Sequence, residues 1–279
     1  MMRTTLATAL LALVACSTPE APRAREDRTL KMLDRLSEEV ADLPEGSRWR
    51  ALDTPSFRVL YLEDAGLAAR VARAAEETRR RQQKLWLGPK PRSPWRPRCD
   101  LHLFPTRRLL TRWSGGDAAR AGSAASRRSR LVRGQTLQRV MYLAADEYGL
   151  IEDLLPHEVS HIIVGGLMGS KDAPRWADEG LAVLAMSEQA QAGYDAVLGH
   201  YRARGQLFPL AQLMPMESYP DPPFRRLYYA QALSLVRFLL ELSGRETLLR
   251  LMRGEGDLAG LYGIGGAEAL DRRWRAWLR

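Results

Sequence analysis

The sequence predicts an α+β fold, with a small N-terminal sheet lobe of strand-helix pairs packed beside a mainly helical C-terminal lobe and a cleft between the two. Two patterns carry this expectation. Alternating, β-rich segments fall before residue 148, and helical periodicity dominates from Gly149 onward. A chain of 279 residues that is 46% apolar and 27% charged has ordinary globular composition and is long enough to bury a core of that kind.

Residues 1–16 carry Arg3, an apolar run from Leu6 to Val14, and then Leu13-Val14-Ala15-Cys16. The run is too short for a membrane-spanning anchor and reads as an export signal. Its ending resembles a bacterial lipoprotein lipobox, which implies cleavage before Cys16 and a lipid on its thiol; an ordinary secretory signal with a chance cysteine is the alternative. Ser17, where aspartate would retain a lipoprotein at the inner membrane, implies the periplasmic side of the outer membrane. Cys99 is then the sole remaining cysteine, so no intramolecular disulfide framework is expected. Residues 17–28 are polar with two prolines and suit a tether.

The N-terminal lobe is expected over residues 29–148. From Thr29, Leu30, Leu33, Leu36 and Val40 recur at helical spacing up to Pro44-Glu45-Gly46. A strand follows at Ser56–Leu62 and a long helix from Ala65 to about Trp86, stopped by Gly88-Pro89. The pairing repeats with a strand at Cys99–Phe104 and a short helix at Arg107–Trp113. Residues 114–135 read as a Gly-, Ser- and Arg-rich loop, and Arg139–Ala144 as a third strand. Residues 149–279 form the helical lobe.

The formal net charge is +9, and only four of the 42 basic residues are lysines. Arg120, Arg127, Arg128, Arg130 and Arg133 cluster in the basic loop. No aromatic platform interleaves with them and no nucleic-acid motif accompanies them, so a solvated loop is expected and a nucleic-acid partner is not.

His157-Glu158-Val159-Ser160-His161 is an HExxH motif. On a helix, residues four apart share one face, so both imidazoles can reach one ion with Glu158 beside them. Leu150, Ile151, Leu154 and Leu155 before it, and Ile162, Ile163 and Val164 after it, supply the apolar context. Pro156 is tolerated only near a helix start, which puts that start around Glu152 or Asp153. Downstream stands Pro174-Arg175-Trp176-Ala177-Asp178-Glu179-Gly180-Leu181-Ala182.

HExxH followed by tryptophan and Glu-Gly-x-Ala resembles the gluzincin metallopeptidases, including the aminopeptidase N-like and peptidase MA-like families. The resemblance implies a Zn²⁺ ion in the cleft held by His157, His161 and Glu179, with Glu158 as general base; Asp178 stands where the aminopeptidases usually have asparagine. Three protein ligands leave the fourth position open for a water, as catalytic zinc requires. Zinc lowers the pKa of that water to about 7, and the implied activity is peptide-bond hydrolysis by metal-activated water. Tyr229-Ala230-Gln231-Ala232-Leu233 matches a helix whose opening tyrosine donates to the tetrahedral intermediate, so Tyr229 is the candidate oxyanion donor and Tyr228 its rival. The resemblance covers about residues 55–245. It lacks the Gly-x-Met-Glu-Asn segment that holds a free amino terminus, which leaves an endopeptidase acting on a peptide or protein substrate. The chain is expected to be monomeric. A lipoprotein of the same fold that is inactive and holds a partner in the groove is the competing reading. His102 and His200 are expected to be packing or surface residues rather than ligands.

Overall fold

Strands at the N-terminal side build one mixed sheet, and the rest of the chain is mainly helical. The computed structural model describes residues 48–90, 92–113, 126–132, 135–169 and 171–278. The export signal, lipobox, tether and helix expected from Thr29 lie outside these residues. Among the described residues no helix is long and apolar enough to cross a membrane.

The sheet has the order β1-β2-β3-β5-β4, with β1 (Arg50–Asp53), β2 (Phe57–Tyr61), β3 (Cys99–Phe104), β4 (Ser126–Val132) and β5 (Gln135–Ala144). The central β2, β3 and β5 are parallel, and the edges β1 and β4 run antiparallel to them. Helix α1 (Ala65–Leu87) connects β2 to β3, as a parallel pair requires. Asp64 caps it by accepting from the Leu67 amide, and Gly88 ends it at φ +87°. Period-two alternation sorts the side chains by face. Phe57, Val59, Cys99, Leu101, Leu103, Met141 and Leu143 join one core cluster with Val71, Ala72 and Ala75 of α1. Phe104, Val140, Tyr142 and Ala144 form a smaller cluster on the other face with Leu110 of α2 (Arg107–Trp113) and with Trp49.

Two expectations need correction. The basic segment 114–135 is not loop throughout, because residues 126–132 are strand β4, and β5 starts at Gln135 rather than Arg139. An edge strand bonds through its backbone to one neighbour and tolerates charge, so Ser-Arg-Arg-Ser-Arg carries no apolar alternation to betray it. The expected helix start at Glu152 or Asp153 also falls inside a different element. A π-helical turn, Leu150–Leu154, leads directly into α3 (Leu155–Met168), with the Leu155 amide bonded to the Leu150 carbonyl. Pro156 sits in the first turn of α3 and lacks an amide hydrogen; the wider turn upstream gives its ring room against the preceding carbonyls. The short edge strand β1 is an addition to the expected elements.

After α3 come α4 (Arg175–Leu184), α5 (Glu188–Ala203), the short α6 (Leu210–Leu213), α7 (Pro222–Met252), α8 (Leu258–Tyr262) and α9 (Ala267–Trp277). Helix α7 is broken at Gly244, whose φ of +75° is outside the helical range. The main cluster is continuous from the sheet through Val159, Ile162 and Ile163 of α3, Trp176 and Leu181 of α4, and Leu235 and Val236 of α7. Helix α3 packs on both α1 and α4, and α4 packs on α7.

Gly180 sets the last of these contacts. A Cβ there would lie 2.5 Å from the Ala232 carbonyl oxygen and 2.6 Å from Val236 Cγ2, so only glycine lets the backbones of α4 and α7 come this close. Gly180→Ala should therefore destabilise the fold by about 1–3 kcal/mol through overpacking. At about 2–4 °C per kcal/mol for a domain of this size, thermal melts followed by circular dichroism should show the loss clearly. An unchanged melting temperature would contradict the close crossing.

Candidate metal centre

Helix α3 places His157, Glu158 and His161, and α4 lays Glu179 against them. The helical repeat turns His157 and His161 to one face, where their rings meet edge-to-face with centroids 4.7 Å apart. Their Nε2 atoms lie 3.1 Å from each other. Glu179 Oε2 is 3.5 Å from His157 Nε2 and 3.6 Å from His161 Nε2. Three donors held by one tetrahedral ion at about 2.0–2.1 Å are separated by about 3.3 Å. The observed triangle brackets that value, so these three side chains fit a single small cation.

The surroundings orient the donors. His161 Nδ1 lies 2.8 Å from Asp178 Oδ1, and the nearby carboxylate favours the tautomer that carries its proton on Nδ1, with the Nε2 lone pair facing the triangle. Tyr219, in the loop before α7, donates its hydroxyl to Glu179 Oε1 at 2.5 Å, which turns Oε2 toward the imidazoles. Glu158, His161 and Glu179 are buried, and His157 is half-buried at the open side. Glu158 lies with the two histidines in one cluster of possible ligand atoms, all within 4.8 Å of one another.

A layer of tyrosines covers the site. The Tyr229 ring centroid is 6.4 Å from that of His157, 5.9 Å from that of Tyr219 and 6.2 Å from that of Tyr194 on α5. Its hydroxyl is hydrogen-bonded to that of Tyr219. Burial, followed by the nearby Glu179 carboxylate, pushes the Tyr219 hydroxyl up to about 12 and raises Tyr229 and Tyr228 as well, so all three remain protonated at neutral pH. Tyr228 is fully buried and packs against Tyr219 and Tyr229, so Tyr229 is the neighbour that borders His157. One expectation is corrected here: Tyr229 does not open its helix, because α7 begins at Pro222, about two turns earlier.

The remaining histidines sit as expected. His102 is wedged between Trp49 and Tyr142 on the sheet, where burial lowers its pKa to about 4 and keeps it neutral. His200 is exposed beside Arg204. Tyr219, Tyr194 and the orienting role of Asp178 were not anticipated. Asp178 had a usable signal, a second carboxylate next to the expected ligand. Tyr219 had none, because Ser218-Tyr219-Pro220 lies outside any periodic segment.

No protein-family model matches this chain, and no curated protein matches it.

His157→Ala, His161→Ala and Glu179→Ala should each abolish tight binding of one zinc ion in titrations against a chromophoric chelator. Asp178→Asn should lower the affinity about 10–100-fold, as removal of an orienting partner does. Parent-like affinity in any of the three ligand variants would remove that residue from the site.

Proposed function

We propose that this chain is a zinc-dependent endopeptidase of the gluzincin kind, anchored in the bacterial cell envelope by a lipid on Cys16, with its metal site in the cleft between the sheet and the helical part. The observation that carries the reading is the triangle of His157 Nε2, His161 Nε2 and Glu179 Oε2 at separations of 3.1–3.6 Å, with Glu158 clustered with the two histidines. Bound there, zinc would polarise the scissile carbonyl and acidify a water at its open fourth position to a pKa of about 7.

The chain's own residues supply the rest. Glu158 accepts the proton of the attacking water and later delivers it to the leaving amine, a role its position one residue from His157 and its burial support. Tyr229, kept protonated by burial, donates its hydroxyl to the oxygen that gains charge as the carbonyl becomes tetrahedral. Asp178 holds the His161 tautomer, and Tyr219 holds one oxygen of Glu179 so that the other stays directed at the histidines. The buried walls of α3 and α4 keep bulk water from competing with these hydrogen bonds. Envelope location is supported by the apolar run ending in Leu13-Val14-Ala15-Cys16.

Glu158→Gln should keep zinc and lose hydrolysis of a quenched fluorescent casein, because the amide cannot take the proton. Tyr229→Phe should keep zinc and lower turnover about 100- to 1000-fold, the usual cost of one oxyanion donor. A Glu158→Gln protein that is fully active, or that has lost its zinc, would sink the assignment of the base.

Cys16→Ser should move the protein from the membrane to the soluble fraction and abolish incorporation of labelled fatty acid. The lipid would be its anchor. Continued membrane retention of the variant would reject the lipid attachment.

A further inference from the structure

Three arginines stand round the tyrosine layer. Arg175 opens α4 one helical turn before Glu179, and Arg225 lies on α7 one turn before Tyr229, so each shares a helix face with a group of the site. Both guanidiniums sit over the ring of Tyr219, the residue that hydrogen-bonds Glu179, at 4.6 Å and 5.5 Å from its centroid. Arg175 donates its Nε to the Glu217 carbonyl at 2.7 Å, which fixes the plane of the guanidinium. No carboxylate pairs with Arg175 among the described residues, whereas Arg58, Arg79, Arg98, Arg107, Arg237 and Arg275 all have one. Arg226, exposed on the same turn of α7 as Arg225, acts on the Tyr194 hydroxyl, which also feels Glu179 from α5.

A dication would offset two of the three carboxylates Glu158, Asp178 and Glu179, and the three arginines outweigh the one that remains, so the rim of the site is positive. A fixed guanidinium with free Nη donors matches the two oxygens of a carboxylate, and a nearby aromatic face keeps the arginine extended and partly desolvated. Stacking alone would need no charge. Two cations converging on one ring within reach of the metal ligands is an arrangement that a neutral substrate would not use.

Resting on the peptidase reading, we propose that Arg175, with Arg225 beside it, forms a subsite for a carboxylate of the substrate, so that the enzyme selects peptides carrying an acidic group near the scissile bond. That carboxylate has two sources, an Asp or Glu side chain or a free C-terminus.

Three short peptide hydroxamates separate these sources and need no turnover, because the hydroxamate itself chelates the metal. One carries Glu with an amidated C-terminus, the second Gln with an amidated C-terminus, and the third Gln with a free C-terminus. Their dissociation constants are measured calorimetrically on zinc-loaded full-length protein and on Arg175→Gln, with zinc content measured in both. One of the two acidic probes should bind about 10–100-fold more tightly than the neutral one, the strength expected of a charge-assisted pair, and the acidic probe that does so names the source. Arg175→Gln should erase that difference. Equal binding of all three probes by the parent would overturn the subsite while leaving the metal centre in place. Equal weakening of every probe in Arg175→Gln would overturn it too and make the arginine a support for Tyr219. A parent that binds no zinc would instead bring down the peptidase reading, and the subsite with it.

Discussion

Two buried carboxylates, Glu158 and Glu179, each lie within a few ångströms of the buried His161 imidazole, and a second imidazole, His157, closes the group at its open side. Lone pairs of Nε2, Nε2 and Oε2 face a common point, an arrangement that a dry protein interior strongly disfavours without a positive charge at its centre. The surrounding architecture holds this cluster in place. The π-helical turn before Pro156 lets α3 run straight into the histidines, and the bare backbone of Gly180 lets α4 nest between α3 and α7. Trp176, fully packed in the core one turn before Gly180, fixes the rotation of α4 that presents Glu179 inward. Without that rotation the carboxylate would not meet the histidines.

Orientation is layered outward from the donors. Asp178 and Glu179 are neighbours on α4, yet one reaches the outer nitrogen of His161 while the other faces its inner nitrogen. Two adjacent residues thus supply both a candidate ligand and the carboxylate that favours the tautomer of another. Tyr219 does the same for Glu179 from a loop, and the tyrosines stacked behind it link α4, α5 and α7 around the open side. The phenols, kept protonated by burial, are donors rather than anions, which is what the oxyanion role proposed for Tyr229 requires.

Much of this was legible in the chain, for identifiable reasons. HExxH encodes its geometry in the four-residue helical repeat, whereas the meeting with Glu179 was expected only because Trp176 and Glu179-Gly180-Leu181-Ala182 downstream resemble the gluzincin pattern. The strands Phe57–Tyr61 and Cys99–Phe104 and the helix between them showed because alternation and helical spacing are strong in buried parallel elements. Edge strands were harder. Ser126–Val132 takes its stability from backbone bonds to β5, and its arginines mimic a solvated loop. Pro156 stands in the first turn of α3 as its missing amide hydrogen allows, and the expected start at Glu152 or Asp153 missed it because the π-helical turn Leu150–Leu154 leaves no distinct signal in the sequence. Tyr219 and the stacking of Arg175 and Arg225 upon it depend on tertiary packing between α4 and the loop before α7, which no local pattern records.

The most direct test is X-ray absorption at the zinc edge on purified full-length protein loaded with one equivalent of zinc. The expected result is a four-coordinate spectrum with nitrogen and oxygen neighbours at about 2.0–2.1 Å and the outer-shell scattering of two imidazoles, with that imidazole scattering lost in His161→Ala, which should no longer hold the ion tightly. A spectrum of hydrated zinc without imidazole scattering, or an unchanged imidazole count in that variant, would contradict it.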